Sequence, residues 1–150
     1  MIFYQARGFN LVQVLLVLAI FMIIASFAIP SLYQLQTGVQ IDTVASEMSH
    51  NLRRAQIRAL SGFNDSNWGV YWQERSYTIF AGDSFVARDQ DWDEDYLITG
   101  SVLISNDLGD EIIFTKQTGE PDTAGSIILT NPANETSTVY ISELGVIDLQ

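Results

Sequence analysis

From Phe9 to Ile29 the chain runs for 21 residues without a charge, and Asn10, Gln13 and Ser26 are the clearly polar side chains among them. No polar face breaks Val14 to Ile24, so the pattern predicts a helix that is apolar on every side, unlike a core helix of a soluble domain. About 20 helical residues, at roughly 1.5 Å each, cover a hydrocarbon core of about 30 Å, so the segment is long enough to span a bilayer. It exceeds the apolar run of roughly 7 to 15 residues in a secretory signal peptide, and the pattern continues as helix instead of breaking at Ala25 or Ala28. Beyond Pro30 the apolar positions fall at Ile41, Val44, Ala45, Met48, Leu52, Ala55 and Ala59, and steps of three and four mark one face of an amphipathic helix. Ser61-Gly62 supplies a stop, and Arg53, Arg54 and Arg58 sit near the end where cations suit the helix dipole. Asn10 to Ser61 is 52 residues, or roughly 78 Å of helix, with Pro30 and Gly38 as the points where it can bend.

From Trp68 the period changes. Trp68–Gln73 and Ser76–Phe80 are rich in strand formers and are separated by Glu74-Arg75, which predicts a hairpin. Further strands are expected at Ser101–Ser105, Glu111–Lys116, Gly125–Thr130, Thr138–Ser142 and Gly145–Leu149, with turn residues at Asn106-Asp107, Thr118-Gly119-Glu120-Pro121, Asn131-Pro132 and Leu144-Gly145 between them. Seven short strands after a long helix predict an α+β fold, with the amphipathic half of the helix packed on an antiparallel β-sheet or small β-sandwich head. Trp68 and Trp72 alternate along a strand and read as core residues.

Composition narrows the function. At 150 residues, 47% hydrophobic and 17% charged, the chain is one domain's worth and able to bury a core. A formal charge of −11 disfavours a broad nucleic-acid or anionic-lipid surface, and residues 63–150 carry three basic against 16 acidic side chains. With no cysteine and His50 as the single histidine, no thiolate nucleophile, cysteine zinc site or histidine triad can be assembled, and no enzyme is expected. Arg7 is the one charge before the apolar stretch, and no Lys or Arg follows until Arg53, so the short N-terminal end is expected in the cytoplasm and the acidic remainder outside.

Arg7-Gly8-Phe9, the uncharged helix behind it, and Pro30 as the 22nd residue from Phe9 together resemble the N-terminus of type IV prepilins and of the pseudopilins of type II secretion. The family pattern G-F-T-L-I-E reads here Gly8-Phe9-Asn10-Leu11-Val12-Gln13. The resemblance implies a leader of residues 1–8, cleavage by a prepilin peptidase after Gly8, N-methylation of Phe9, a filament-core helix over 9–29 that first lies in the cytoplasmic membrane, an amphipathic helix over 30–62 and an extracellular head over 63–150. Gln13 stands where most members carry a glutamate thought to pair with a neighbouring subunit's N-terminal amine. It can accept a hydrogen bond but not form that ion pair. In the family, subunits without the glutamate include tip components; the other reading is a tolerated polar residue near the membrane interface. The helix end Leu52-Arg53-Arg54-Ala55-Gln56 and Arg58-Ala59, leading into a cysteine-free β-rich head, resembles the minor pseudopilin group typified by GspH and FimT. Some members of that group bind DNA through basic residues, which this acidic head does not favour.

Two local features remain. The arginine cluster is read either as a docking patch for an acidic neighbour or, preferably, as a solvated helix face paired with Glu47 and nearby acids. The run Asp89-Gln90-Asp91-Trp92-Asp93-Glu94-Asp95 is read as a solvated loop; an EF-hand is rejected because Glu94 sits where glycine is needed and Gly100 where the bidentate glutamate belongs. Asp89, Asp91, Asp93 and Asp95 are left as weak calcium candidates, with no other cofactor expected. The resulting expectation is a structural subunit of a type IV pilus or type II secretion pseudopilus, a minor or initiating one, whose partners are the peptidase, other subunits and the membrane. The alternative is a signal-anchored extracellular binding domain, with a cation site in the acidic run, that never polymerises.

Overall fold

The structure, a computed structural model, describes the backbone of residues 11–98 and 100–150, and the side chains of the same residues apart from 26–39. Gly8 and Phe9 lie outside the described residues. One helix, α1 (Leu11–Leu60), is followed by a single turn of 3₁₀ helix (Phe63–Asp65) and eight strands: β1 (Trp68–Gln73), β2 (Ser76–Ala81), β3 (Asp89–Leu97), β4 (Leu103–Asn106), β5 (Glu111–Phe114), β6 (Gly125–Thr130), β7 (Thr136–Ile141) and β8 (Ile147–Leu149). The chain divides into two compact units, residues 1–36 and 37–150, and α1 contributes to both.

In the first unit, the side chains described from 11 to 25 are all exposed, among them Leu11, Val12, Leu15, Phe21, Met22 and Ile24. The helix continues through Pro30 and Gly38. Among the described residues no helix is long and apolar enough to cross a membrane; the expected span, 9–29, reaches beyond the described side chains at both ends.

In the second unit, every apolar position predicted for the amphipathic face is buried: Ile41, Val44, Ala45, Met48, Leu52, Ala55 and Ala59. Three of these are alanines with no exposure, so the backbone of α1 can approach the sheets closely while Met48 and Leu52 fill the space between. Burying a side chain of that size is worth about 1.5–3 kcal/mol. The stop is where the sequence placed it. Gly62 adopts φ 65°, a left-handed conformation that costs glycine nothing, and its N–H donates to Ala59 O at 2.9 Å.

All strand pairing is antiparallel, in two four-stranded sheets ordered β3-β2-β1-β5 and β4-β6-β7-β8. The predicted hairpin forms with Gln73 opposite Ser76 and Glu74-Arg75 as its turn. Trp68, Val70, Ile79 and Ile112 from the first sheet share one buried cluster with Ile127, Leu129, Val139 and Ile141 from the second, and with the inner face of α1.

The acidic run is not a loop, as its composition predicted, but strand β3. It pairs with β2 through Ser76↔Leu97 to Ile79↔Glu94, then slips before Ala81↔Asp89. Acidic residues have poor strand propensity, yet β3 is an edge strand, where charged side chains face water and ladder bonds are made by backbone alone. Among the described residues the head therefore has eight strands, not seven. Of the others, β4 begins two residues later than predicted and β7 two residues earlier.

Gly69 is closely packed within the first sheet. A Cβ there would overlap the Phe80 ring and lie 2.8 Å from Ile112 O. Replacing Gly69 with valine is expected to destabilise the head by about 2 kcal/mol or more, as overpacking of a filled core does. Urea unfolding of the full chain in mild detergent, followed by tryptophan fluorescence, measures it; an unchanged midpoint would contradict this packing.

Candidate assembly surface

Two features of the chain bear on assembly: the apolar first part of α1, and the seam that holds the second part against the head. Gln13 is exposed in the first turns of α1, among leucine and valine side chains equally exposed. Pro30 lies within α1. An apolar helix surface of this kind is stable only under lipid or under other apolar helices, because water contact costs about 25 cal/mol per Å².

The seam is polar and directional. Arg58 donates to Glu94 Oε1 at 2.5 Å and Arg54 to the same oxygen at 3.1 Å, while the Tyr96 hydroxyl donates to Glu94 Oε2 at 2.9 Å. Arg54 Nη1 reaches the Tyr96 oxygen at 2.8 Å, and the Arg58 guanidinium stands over the Trp68 ring, 4.6 Å from its centre. Arg53 donates to Ile147 O in β8 at 2.7 Å. Gln56 Nε2 donates to Gly119 O and Gly145 O, at 3.0 and 2.7 Å. Asn51, itself buried, donates to the Tyr77 hydroxyl at 2.8 Å, and the Tyr77 ring stacks on Tyr96 at 5.2 Å. Burial pushes the Tyr77 phenol up to about 12, so it stays a neutral partner for Asn51.

The arginine cluster thus makes its contacts within the head, from an exposed to half-buried face of α1. It is paired, as the solvated-face reading required, but with Glu94 some 40 residues away and not with Glu47. Glu94 is the residue that sequence reasoning missed. The sign of its role was present in the alternation Trp92, Glu94, Tyr96, which sets Glu94 and Tyr96 on one face of a strand. His50 is exposed on α1, and Trp68 and Trp72 are buried in the core, as expected, whereas Trp92 is exposed and meets the Phe63 ring edge-on at 5.2 Å.

The four calcium candidates are not brought together. Asp93 is held by Arg88 at 2.8 Å, Asp95 accepts from the Thr78 hydroxyl at 2.6 Å, and Asp89 Oδ1 accepts from the Asp91 N–H at 3.2 Å. Among the described residues no group of three or more His, Cys, Asp or Glu side chains is placed to hold a metal ion.

A helix whose second half closes two four-stranded antiparallel sheets is the architecture of a pseudopilin-like fold. Among solved structures the chain is similar to the minor pseudopilin EpsH from the Type 2 Secretion System of Vibrio cholerae, with a TM-score of 0.59 and 14% identity, over 74% of this chain and 96% of that one. At that identity the likeness is one of fold. No protein-family model matches the sequence, and no curated protein does.

Burial raises the Glu94 carboxyl, but the Arg58 and Tyr96 hydrogen bonds and the two guanidinium charges outweigh it, and its pKa lies below the usual value. A depressed carboxylate contributes stability above its unfolded pKa of about 4.3 and loses it as pH falls through the lower folded value. Glu94→Gln is expected to cost about 1 kcal/mol near neutrality, the scale of a partly exposed pair, and to flatten the loss of stability between about pH 5 and pH 3. Thermal unfolding across that range tests it. Parallel slopes for the two proteins would show that Glu94 is not the titrating group.

Proposed function

We propose that this chain is a minor pseudopilin: a structural subunit inserted in the cytoplasmic membrane as a prepilin, cut after Gly8, N-methylated on Phe9, and built into a type II secretion pseudopilus or a related pilus. The observation that carries the reading is a single helix, apolar and exposed on all sides at its start, that continues into the helix sealing a head of the minor-pseudopilin fold. The Arg7-Gly8-Phe9 junction supplies the cleavage site such a subunit needs.

The energetics are consistent with assembly. Moving the apolar helix from lipid into a bundle of like helices exposes none of it to water, so extraction is not opposed by the full hydrophobic term, and packing between helices supplies the net attraction. Gln13 offers a neutral hydrogen bond where an ion pair holds most subunits, which favours a minor or initiating place over the repeating shaft. The head outside the membrane, with its net negative charge, makes the outer contacts.

The N-terminal peptide and intact mass of the protein isolated from its native membrane test this. A chain beginning at N-methylated Phe9 is expected, and Gly8→Leu is expected to leave a full-length, unassembled protein. A chain beginning at Met1 in cells with an active prepilin peptidase would overturn the proposal in favour of a permanently anchored extracellular domain.

A further inference from the structure

Side chains alternate between the two faces of the first sheet. Trp68, Val70 and Trp72 of β1 and Tyr77 and Ile79 of β2 turn to the buried cluster shared with α1, while Gly69, Tyr71, Thr78 and Phe80 turn to the opposite face. Phe80 has no exposure, yet it is not part of that cluster. Its ring lies over the bare backbone at Gly69, and its cover is the connection between β2 and β3, residues 82–88.

That connection is a strap with a narrow neck. Gly82, at φ 151°, lies so close to Arg88 that a Cβ would stand 2.8 Å from the Arg88 Cα. Ala87 N–H donates to Ser84 O at 3.1 Å and folds the middle into a turn, from which Phe85 reaches over the sheet. Phe85 stacks on Tyr71 with ring centres 3.9 Å apart, meets Phe80 edge-on at 5.7 Å, and has the Arg88 guanidinium 3.7 Å from its own centre. Carboxylates on the two edge strands pin it. Glu111 in β5 accepts Phe85 N–H at 2.7 Å, and Asp93 in β3 accepts from Arg88 Nε at 2.8 Å. Val86, at the turn, is 96% exposed, so closure rests on Phe85 and Arg88.

Among the described residues none from 82 to 88 belongs to the cluster shared by α1 and the two sheets. Lifting the strap therefore breaks the Phe85 ring contacts and the two carboxylate contacts and leaves that core intact. We propose that residues 82–88 are a hinged cover, closed in this structure, which opens as a unit while the head stays folded and uncovers the Tyr71 and Phe80 rings beside Gly69. Gly82 is the hinge, because glycine passes through backbone conformations closed to other residues. The outer face of the first sheet thus has two states, one capped and one an open aromatic surface. The inference stands apart from the filament reading, since it concerns one face of the head alone.

Amide hydrogen exchange of the full chain in mild detergent, resolved to single residues, is the first test. The Phe85 and Ala87 amides are expected to share one protection factor, at least about a hundredfold below that of the central strands β1 and β2. Arg88→Gln, which removes the ion pair with Asp93, is expected to speed exchange at both about tenfold and to leave β1 and β2 unchanged. The second test uses the absence of cysteine from the chain: Phe80→Cys places a single thiol under the strap. Its labelling by iodoacetamide is expected to outpace global unfolding and to quicken about tenfold when Arg88→Gln is added. Strap amides as protected as those of β1 and β2 would make the segment part of the core. Unequal protection at Phe85 and Ala87, indifferent to Arg88→Gln, would make it a frayed loop. Labelling only at the rate of global unfolding would show that position 80 is never uncovered. Each of these results overturns the proposal.

Discussion

The burial of one face of α1, from Ile41 to Ala59, is the contact on which the head depends. Both sheets turn apolar side chains to the same cluster, and this strip of helix belongs to that cluster together with residues of each sheet. Sheets with one unprotected apolar face are unstable in water, so neither would hold its strands without a cover. The strip combines three alanines with larger side chains, which lets the helix backbone sit close and still fill the core. Ordinary hydrophobic burial therefore holds the second half of α1 in the head.

Hydrophobic burial has no direction, and a smooth strip would tolerate rotation and sliding of the helix. The polar seam removes that freedom. Arg53 reaches β8, Gln56 reaches the turns at Gly119 and Gly145, and Arg54 and Arg58 converge on Glu94 in β3, while Asn51 fixes the helix from its buried side through Tyr77. Individually, partly exposed pairs are weak. Their geometry matters more than their strength, because five donors on successive turns find acceptors at one position of the helix only.

Edge strands carry the same economy of means. A head rich in carboxylates uses them to guard β3, covers β5 with the segment that follows it, and ties β8 to α1 through the Arg53 guanidinium. Acidic composition, which at first reads as a solvated loop or a cation site, has a structural role in the ladder: Asp93 and Asp95 meet Arg88 and Thr78, and Glu94 anchors the helix.

The sequence by itself determined the helix, its buried face, its stop at Gly62, the first hairpin and most later strands, because each of these obeys a local period or a local backbone requirement. Ile41 to Ala59 recur every three or four residues whatever lies opposite them, and Glu74-Arg75 separates two strand-forming runs within a single turn. The apolar length from Phe9 to Ile29 and the Arg7-Gly8-Phe9 junction were likewise legible, as local features. Only the tertiary structure decided that 89–97 is a strand, because an edge position in a sheet offsets poor propensity and no window of sequence reveals an edge. It alone matched Arg54 and Arg58 to Glu94, since partners some 40 residues apart meet through topology and not through spacing along the chain.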